Sequence, residues 1–349
     1  MFCSRAVIAL LLLAAAAPTS AAPPKKTGRA GIVDTSQAAP ISAVALSPDG
    51  RLALTGSWNK SAVLWDTASG RKLATFRSHA AEISSVALST DGKRVATGSW
   101  DRTAIVWDAL AARPLQVLRG HKGEVTSVAF DSSGRRLATA SRDRTAIVWD
   151  VETGKQQATL SGHSNWVQTV RFSSDGTQLL TGSWDNSAAL WDAKSGKRLR
   201  EFAGHTGAVY AAEFRGTTNS SAPKHAAQVV TGAADNNIIL WDAASGRKVR
   251  ELRAHIGLVT SLAVSADGSR LVSGSRDQRA IVWDLEKGQR LVTLDGHKHS
   301  VTSVSLSEDA RRVLTGSRDQ TAIVWDPANG RRLQMLPRPQ RFRLASGSD

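Results

Sequence analysis

Six histidines recur with an aspartate and a hydroxyl residue at fixed distances, the set that serves nucleophilic catalysis when it converges on one point. His79, His121, His163, His255 and His297 each stand 28 residues before a tryptophan, and His205 joins them once an eight-residue insertion is allowed for. Six residues before the same tryptophans comes an aspartate: Asp101, Asp143, Asp185, Asp235, Asp277 and Asp319. In the fourth copy the set is His163, Asp185 and either Ser183 or Thr181. A nucleophile needs one accessible copy with donors aimed at the developing oxyanion. Six equivalent copies argue for masonry, and no singular inward-facing acid or cofactor ligand stands out beside them. The expectation is a protein that is not an enzyme. Other chemistry is also missing: there is no Gly-rich phosphate loop, and the only cysteine is Cys3. His297-Lys298-His299 brings two imidazoles close, but two rarely suffice for a metal. No metal and no cofactor are expected.

The elements that position these residues are read from the repeat itself. Trp-Asp recurs at Trp65-Asp66, Trp107-Asp108, Trp149-Asp150, Trp191-Asp192, Trp241-Asp242, Trp283-Asp284 and Trp325-Asp326, in steps of 42 residues except for one of 50. Each unit divides into four strand-like pieces separated by turns. After His121 these are Val125 to Phe130, Arg136 to Ser141, Thr145 to Trp149 and Gln156 to Leu160, parted by Asp131-Ser132-Ser133-Gly134, Asp143-Arg144 and Thr153-Gly154. One four-stranded sheet cannot bury both its faces. Seven packed radially can, and a closed ring leaves only short, protected edges. The pattern predicts an all-β, seven-bladed β-propeller of four-stranded antiparallel blades.

The Gly-His and Trp-Asp pairs in seven regular copies resemble the WD-repeat (Trp-Asp repeat) β-propeller family, over roughly Gly28 to Leu336. The resemblance implies that histidine, a Ser/Thr of the second strand, the turn aspartate and the third-strand tryptophan form a buried hydrogen-bonded tetrad. Six are expected: His79, Asp101 and Trp107; His121, Asp143 and Trp149; His163, Asp185 and Trp191; His205, Asp235 and Trp241; His255, Asp277 and Trp283; His297, Asp319 and Trp325. The first unit is worn, with Gln37 and Asn59 where histidine and aspartate belong. Two segments compete for the outer strand that closes the ring. Gly28 to Gln37 is in register with Gly70 to His79, while Arg331 to Leu336 has the better apolar pattern and is favoured.

The resemblance also implies that the residue before the turn aspartate rims the central channel on the top face. That position holds Trp58, Trp100, Arg142, Trp184, Ala234, Arg276 and Arg318, with Trp166 and Tyr210 facing the same way. It explains why tryptophans, at 11, outnumber the 7 Phe and 1 Tyr together. Seven are structural, and Trp58, Trp100, Trp166 and Trp184 are expected to be exposed. Trp, Tyr and Arg are the usual anchors of partner binding, although stacking across neighbouring blades accounts for the same residues. The candidate partner-binding set is Trp58, Trp100, Arg142, Trp166, Trp184, Tyr210, Arg276 and Arg318.

Charge collects on the opposite, bottom face. Its turns hold Arg51, Lys93-Arg94, Arg135-Arg136, Arg270 and Arg311-Arg312, with Arg71-Lys72, Lys155, Lys197-Arg198, Arg247-Lys248, Arg290 and Arg331-Arg332. They carry much of a net charge of +15, which attracts anionic glycans or lipid head groups if it is more than a solvated surface. Arg215 to Ala226 holds the insertion and is expected to lengthen a bottom loop of the fifth blade. Asn59-Lys60-Ser61 and Asn219-Ser220-Ser221 fit the glycosylation pattern, relevant only to a host with an endoplasmic reticulum.

The first residues read as an export signal, with Arg5, the apolar run Ala6 to Ala17 and small residues before Ala21. The expected organisation is a signal peptide over 1–21, a linker over 22–29, the propeller over 30–337 and a basic tail over 338–349. The mature chain then lacks cysteine and has no disulfide to rely on. The function expected is a secreted or periplasmic scaffold that binds a protein or peptide partner through its top face. The alternative is a binder of anionic glycans or lipids through the bottom. The chain is expected to be a monomer, not transmembrane after signal removal, and nucleic acid is not expected as a partner of an exported protein.

Overall fold

The computed structural model describes residues 39–215 and 228–337. These form seven four-stranded antiparallel sheets, each in simple chain order. The blades run Ile41–Arg77, Ile83–Arg119, Val125–Ser161, Val167–Ala203, Val209–Leu252, Val259–Leu294 and Val301–Leu336, numbered 1 to 7 below. No helix is present among the described residues, and none there is long and apolar enough to cross a membrane.

Within a blade the strands differ in burial because they differ in position. First strands line the central channel. Second and third strands are almost wholly buried, as in Gln178–Ser183 and Ser187–Asp192. Fourth strands are largely exposed, and Arg198–Ala203 hides only Phe202. The blades pack closely because most second strands carry a glycine at the contact. A Cβ on Gly182 would come within 2.7 Å of Val209 Cγ1, and one on Gly232 within 2.6 Å of Val259 Cγ1. Any larger residue there would wedge two sheets apart.

Every first strand carries a β-bulge near its start. The register skips one residue between Val125 and Ser127, between Val167 and Thr169, and between Val209 and Ala211. A bulge takes its extra residue out of the ladder and re-aims the side chain. Those residues are Ser42, Ser84, Thr126, Gln168, Tyr210, Thr260 and Thr302, and all seven line the mouth of the channel.

The ring is closed by the C-terminal candidate. Arg332–Leu336 pairs with Ala322–Trp325 as the fourth strand of blade 7, and Leu336 is buried beside Val324 and Ala322. Each blade is therefore made of consecutive strands, and no strand ladder crosses from blade 7 to blade 1. Side chains and single backbone groups close that seam: Ser303 Oγ accepts from Val44 N at 3.1 Å and Ser305 Oγ from Leu46 N at 3.0 Å. Gly316 packs against Val44 and Ile41. The segments expected to be a signal peptide and a linker, the Gly28 to Gln37 segment, residues 216–227 with Asn219, and the expected tail over 338–349 lie outside the described residues. The insertion nonetheless joins the first strand of blade 5, ending at Arg215, to the second, starting at Gln228.

Candidate functional site

The recurring histidines sit in six equivalent chains of hydrogen bonds. In blade 4, Trp191 Nε1 donates to Thr181 Oγ1 at 2.8 Å. Thr181 Oγ1 lies 2.7 Å from His163 Nε2, and His163 Nδ1 lies 2.8 Å from Asp185 Oδ2. An indole only donates, so the hydroxyl accepts from it and passes its own proton towards Nε2; Nδ1–H then donates to the carboxylate. Thr181, not Ser183, is the hydroxyl member; the Ser183 hydroxyl instead accepts from Asp185 N. The same chain runs through Trp107, Thr97, His79 and Asp101, and through Trp149, Thr139, His121 and Asp143. It recurs at Trp241, Thr231, His205 and Asp235, at Trp283, Ser273, His255 and Asp277, and at Trp325, Thr315, His297 and Asp319. Blade 1 keeps only the Trp65 to Thr55 bond, at 2.9 Å. Its Asn59 Oδ1 accepts from the Ser61 hydroxyl, which is buried, so that glycosylation motif is folded into a turn.

The geometry copies a Ser-His-Asp triad but not its access. Thr181 is fully buried, and its oxygen already holds an indole N–H. Burial alone would raise the Asp143, Asp185 and Asp319 carboxyls. Hydrogen bonds from His121 and Thr145, His163 and Ser187, and His297 and Thr321 outweigh it and hold all three well below the usual carboxylate range. In blade 2, burial pushes His79 down and keeps it neutral beside Asp101. His297 spends both ring nitrogens in this way, so it and the exposed His299 do not form a metal pair.

At the top mouth the structure brings every candidate residue but Arg276 into one chain of contacts running from blade to blade. The Arg318 guanidinium lies 5.2 Å from the Trp58 ring centre, and Trp58 lies 6.1 Å from Trp100. Arg142 sits between Trp100, at 5.3 Å, and Trp166, at 4.3 Å, and pairs with Glu124. Trp166 stacks on Trp184 at 4.5 Å, and Trp184 meets Tyr210 at 5.6 Å. These four tryptophans are half-buried, which corrects the expectation of exposed rings: each is covered on one side by its neighbour. Trp58, Trp100, Arg142, Gln168, Tyr210, Arg276 and Arg318 line a cavity of about 160 Å³, while Trp166 and Trp184 back it from behind. Burial pushes the Tyr210 phenol up, while Arg276, Arg142 and Arg318 pull it down, so all three cations reach this space.

Below the mouth the channel opens into a second cavity of about 290 Å³. Here the structure overturns a sequence expectation. The fifth residue of each first strand is Ala45, Ala87, Ala129, Arg171, Glu213, Ala263 or Ser305. Arg171 and Glu213 are singular, and Arg171 Nε donates to Glu213 Oε1 at 2.6 Å. Burial pushes the Glu213 carboxyl up, against the pull of Arg171. The signal was present: two charged residues occupy a position that the other repeats give to alanine or serine. Tyr210 and Glu213 are three residues apart, about 10 Å along an extended strand.

The bottom face is basic, but part of its charge belongs to the fold. Arg51, Lys93, Arg135, Arg311, Arg71, Lys72, Lys155, Lys197, Arg198, Arg247, Lys248, Arg290, Arg331 and Arg332 are exposed, and Arg270 is half-buried. Arg94, Arg136 and Arg312, by contrast, latch blades 2, 3 and 7 to the blades that follow them. They donate to Gly134 O at 2.9 Å, Gly176 O at 2.7 Å and Gly50 O at 3.0 Å. Arg215 does the same to Gly268 O at 2.8 Å.

A seven-bladed ring with this tetrad is the architecture of a WD-repeat propeller, and family comparison agrees. The WD domain, G-beta repeat family matches seven stretches, at residues 32–66, 70–108, 112–150, 154–192, 196–242, 246–284 and 288–326. The chain belongs to the WD-repeat family. Each matched stretch ends on a third-strand Trp-Asp pair, so the sequence repeat is offset from the structural blade by one strand. No curated protein matches the chain.

Proposed function

We propose that this propeller is an exported, non-enzymatic scaffold that binds a protein or peptide partner at its top mouth. The observation that carries this is the chain of arginine and aromatic side chains from Arg318 to Tyr210, which surrounds a cavity on the axis. Most of its members stand at the turn position before the aspartate, which differs from repeat to repeat, and Tyr210 stands at a bulge. Large aromatic rings combined with guanidinium groups provide area and polar handles together. Export rests on the leader over 1–21. The test is affinity capture from the native extracytoplasmic fraction by the full chain and by its Trp58→Ala, Trp100→Ala double variant. Capture should be lost while the thermal transition falls only modestly. Equal capture by the variant removes the mouth as the binding site.

A second reading is favoured by exposed cations at the bottom turns and at the strand starts that follow them, Arg71, Lys72, Lys197, Arg198, Arg247 and Lys248. They would hold anionic glycans or lipid head groups. Such association weakens steeply as salt shortens the screening length; binding to anionic vesicles that ignores ionic strength excludes it.

A further inference from the structure

The seven repeats provide an internal reference for what the fold alone requires. In five blades the bulged first-strand residue is a Ser or Thr that donates to the next blade. Ser84 Oγ reaches Val125 O at 2.6 Å, Thr126 Oγ1 reaches Val167 O at 2.6 Å and Thr260 Oγ1 reaches Val301 O at 2.7 Å. Thr302 reaches Ile41 O at 2.8 Å, across the seam, and Ser42 reaches Ile83 O. Blades 4 and 5 forgo this bond between blades. They carry Gln168 and Tyr210 instead. Gln168 Oε1 accepts from Trp184 Nε1 at 3.2 Å, so it fixes a ring of the mouth, and Tyr210 is itself a wall of the cavity. The departure from the repeat serves the mouth.

The mouth has two unlike sides. Trp58, Trp100 and Tyr210 make one apolar, on blades 1, 2 and 5. Arg276 and Arg318, on blades 6 and 7, make the other cationic. Arg142 is already neutralised by Glu124. Among the described residues neither Arg276 nor Arg318 forms an ion pair, and Arg276 is exposed. The nearby tetrad aspartates are committed; Asp319 Oδ2, for instance, takes His297 Nδ1 and Lys298 N. Around the mouth Lys60, Arg102, Lys122, Arg144 and Lys298 are all exposed. A cationic ligand meets repulsion here, and a neutral apolar one strips water from two guanidinium groups without replacing it. A carboxylate matches the fork of a guanidinium with two parallel hydrogen bonds.

We infer that the mouth recognises an acidic peptide segment, with carboxylates on Arg276 and Arg318 and a neighbouring aromatic or aliphatic side chain on Trp58, Trp100 and Tyr210. This rests on the partner site proposed above. The test is selection of a random phage-displayed peptide library on the immobilised full chain, followed by titration of the enriched peptides. Enriched sequences should place Asp or Glu beside an apolar residue. Their affinity should fall at least about tenfold in Arg276→Gln and in Arg318→Gln, and hold in Arg331→Gln on the bottom face. Thermal transitions of the variants control for folding. Neutral or basic sequences that still need Trp58 and Trp100 overturn the acidic specificity alone. Sequences indifferent to those tryptophans, or no enrichment, overturn the mouth as a partner site.

Discussion

Arg312 and Arg318 stand at opposite ends of one strand, Val313–Ser317, and both reach across the seam to blade 1. Arg312, at the bottom, points its N–H groups at the fold. It donates to Gly50 O at 3.0 Å and to Thr67 Oγ1 at 2.7 Å. Arg318, at the top, lays the guanidinium against the ring of Trp58. A stacked guanidinium keeps its edge donors available. The difference separates two uses of one residue type: an arginine whose edge is spent is a fastener, and one whose face is spent remains a receptor. Net charge alone does not distinguish them.

The comparison can be broken in several ways. The largest effect is expected at the top, where Trp58→Ala with Trp100→Ala removes the surface on which Arg318 and Arg142 rest. Peptide affinity measured by titration should drop by about a hundredfold, the scale of paired hot-spot residues. Next comes Arg312→Ala, which should lower unfolding free energy by about 2 kcal/mol in denaturant titration, because two bonds from a charged donor are lost. Peptide affinity should not change. Arg318→Ala reverses that outcome, with stability altered by about 0.5 kcal/mol and affinity reduced about tenfold. If the two single variants behave alike, the distinction between fastener and receptor fails. The smallest effect is expected for Arg331→Ala, exposed on a bottom turn, with stability within about 0.5 kcal/mol of wild type.

Acid adds a sharper check. The Asp143, Asp185 and Asp319 carboxyls are held below their ordinary value of 3.8 in the fold. Their contribution is therefore complete above that value and is lost as pH falls below it. His79 is held below 6.5, so its neutral form favours the fold above that pH and the benefit fades beneath it. A plot of melting temperature against pH should be level above neutrality, slope gently below 6.5 and fall steeply below 3.8. Arginine does not titrate in this range, so the Arg312→Ala curve should run parallel and lower.

The ring was legible in the sequence because its period is strict and its signals sit where strands must turn. Trp149, Asp143 and His121 fix the ends of three strands at once. The expected strands Val125 to Phe130 and Arg136 to Ser141 agree with the structure. The closing strand was less legible. Two segments shared its pattern, and Leu336 decides between them only through the pocket it fills beside Val324. The mouth residues were visible as a varying position in a constant frame, but their mutual stacking was not, since spacing along the chain says nothing about rings on adjoining blades. The arginine latches were hidden for the same reason. Arg136 and Gly176 are 40 residues apart and meet only when two blades pack. Arg171 and Glu213 could have been found by asking which charges break the run of alanine and serine at the fifth position.

Because every blade is built from consecutive strands, the first and last of them adhere without sharing a ladder. A pull applied between Ile41 and Leu336 would therefore meet no ladder at the seam, only the bonds of Arg312, Ser303 and Ser305, the Gly316 packing and the apolar core that Ile41, Val44 and Leu46 share with Leu314 and Val324.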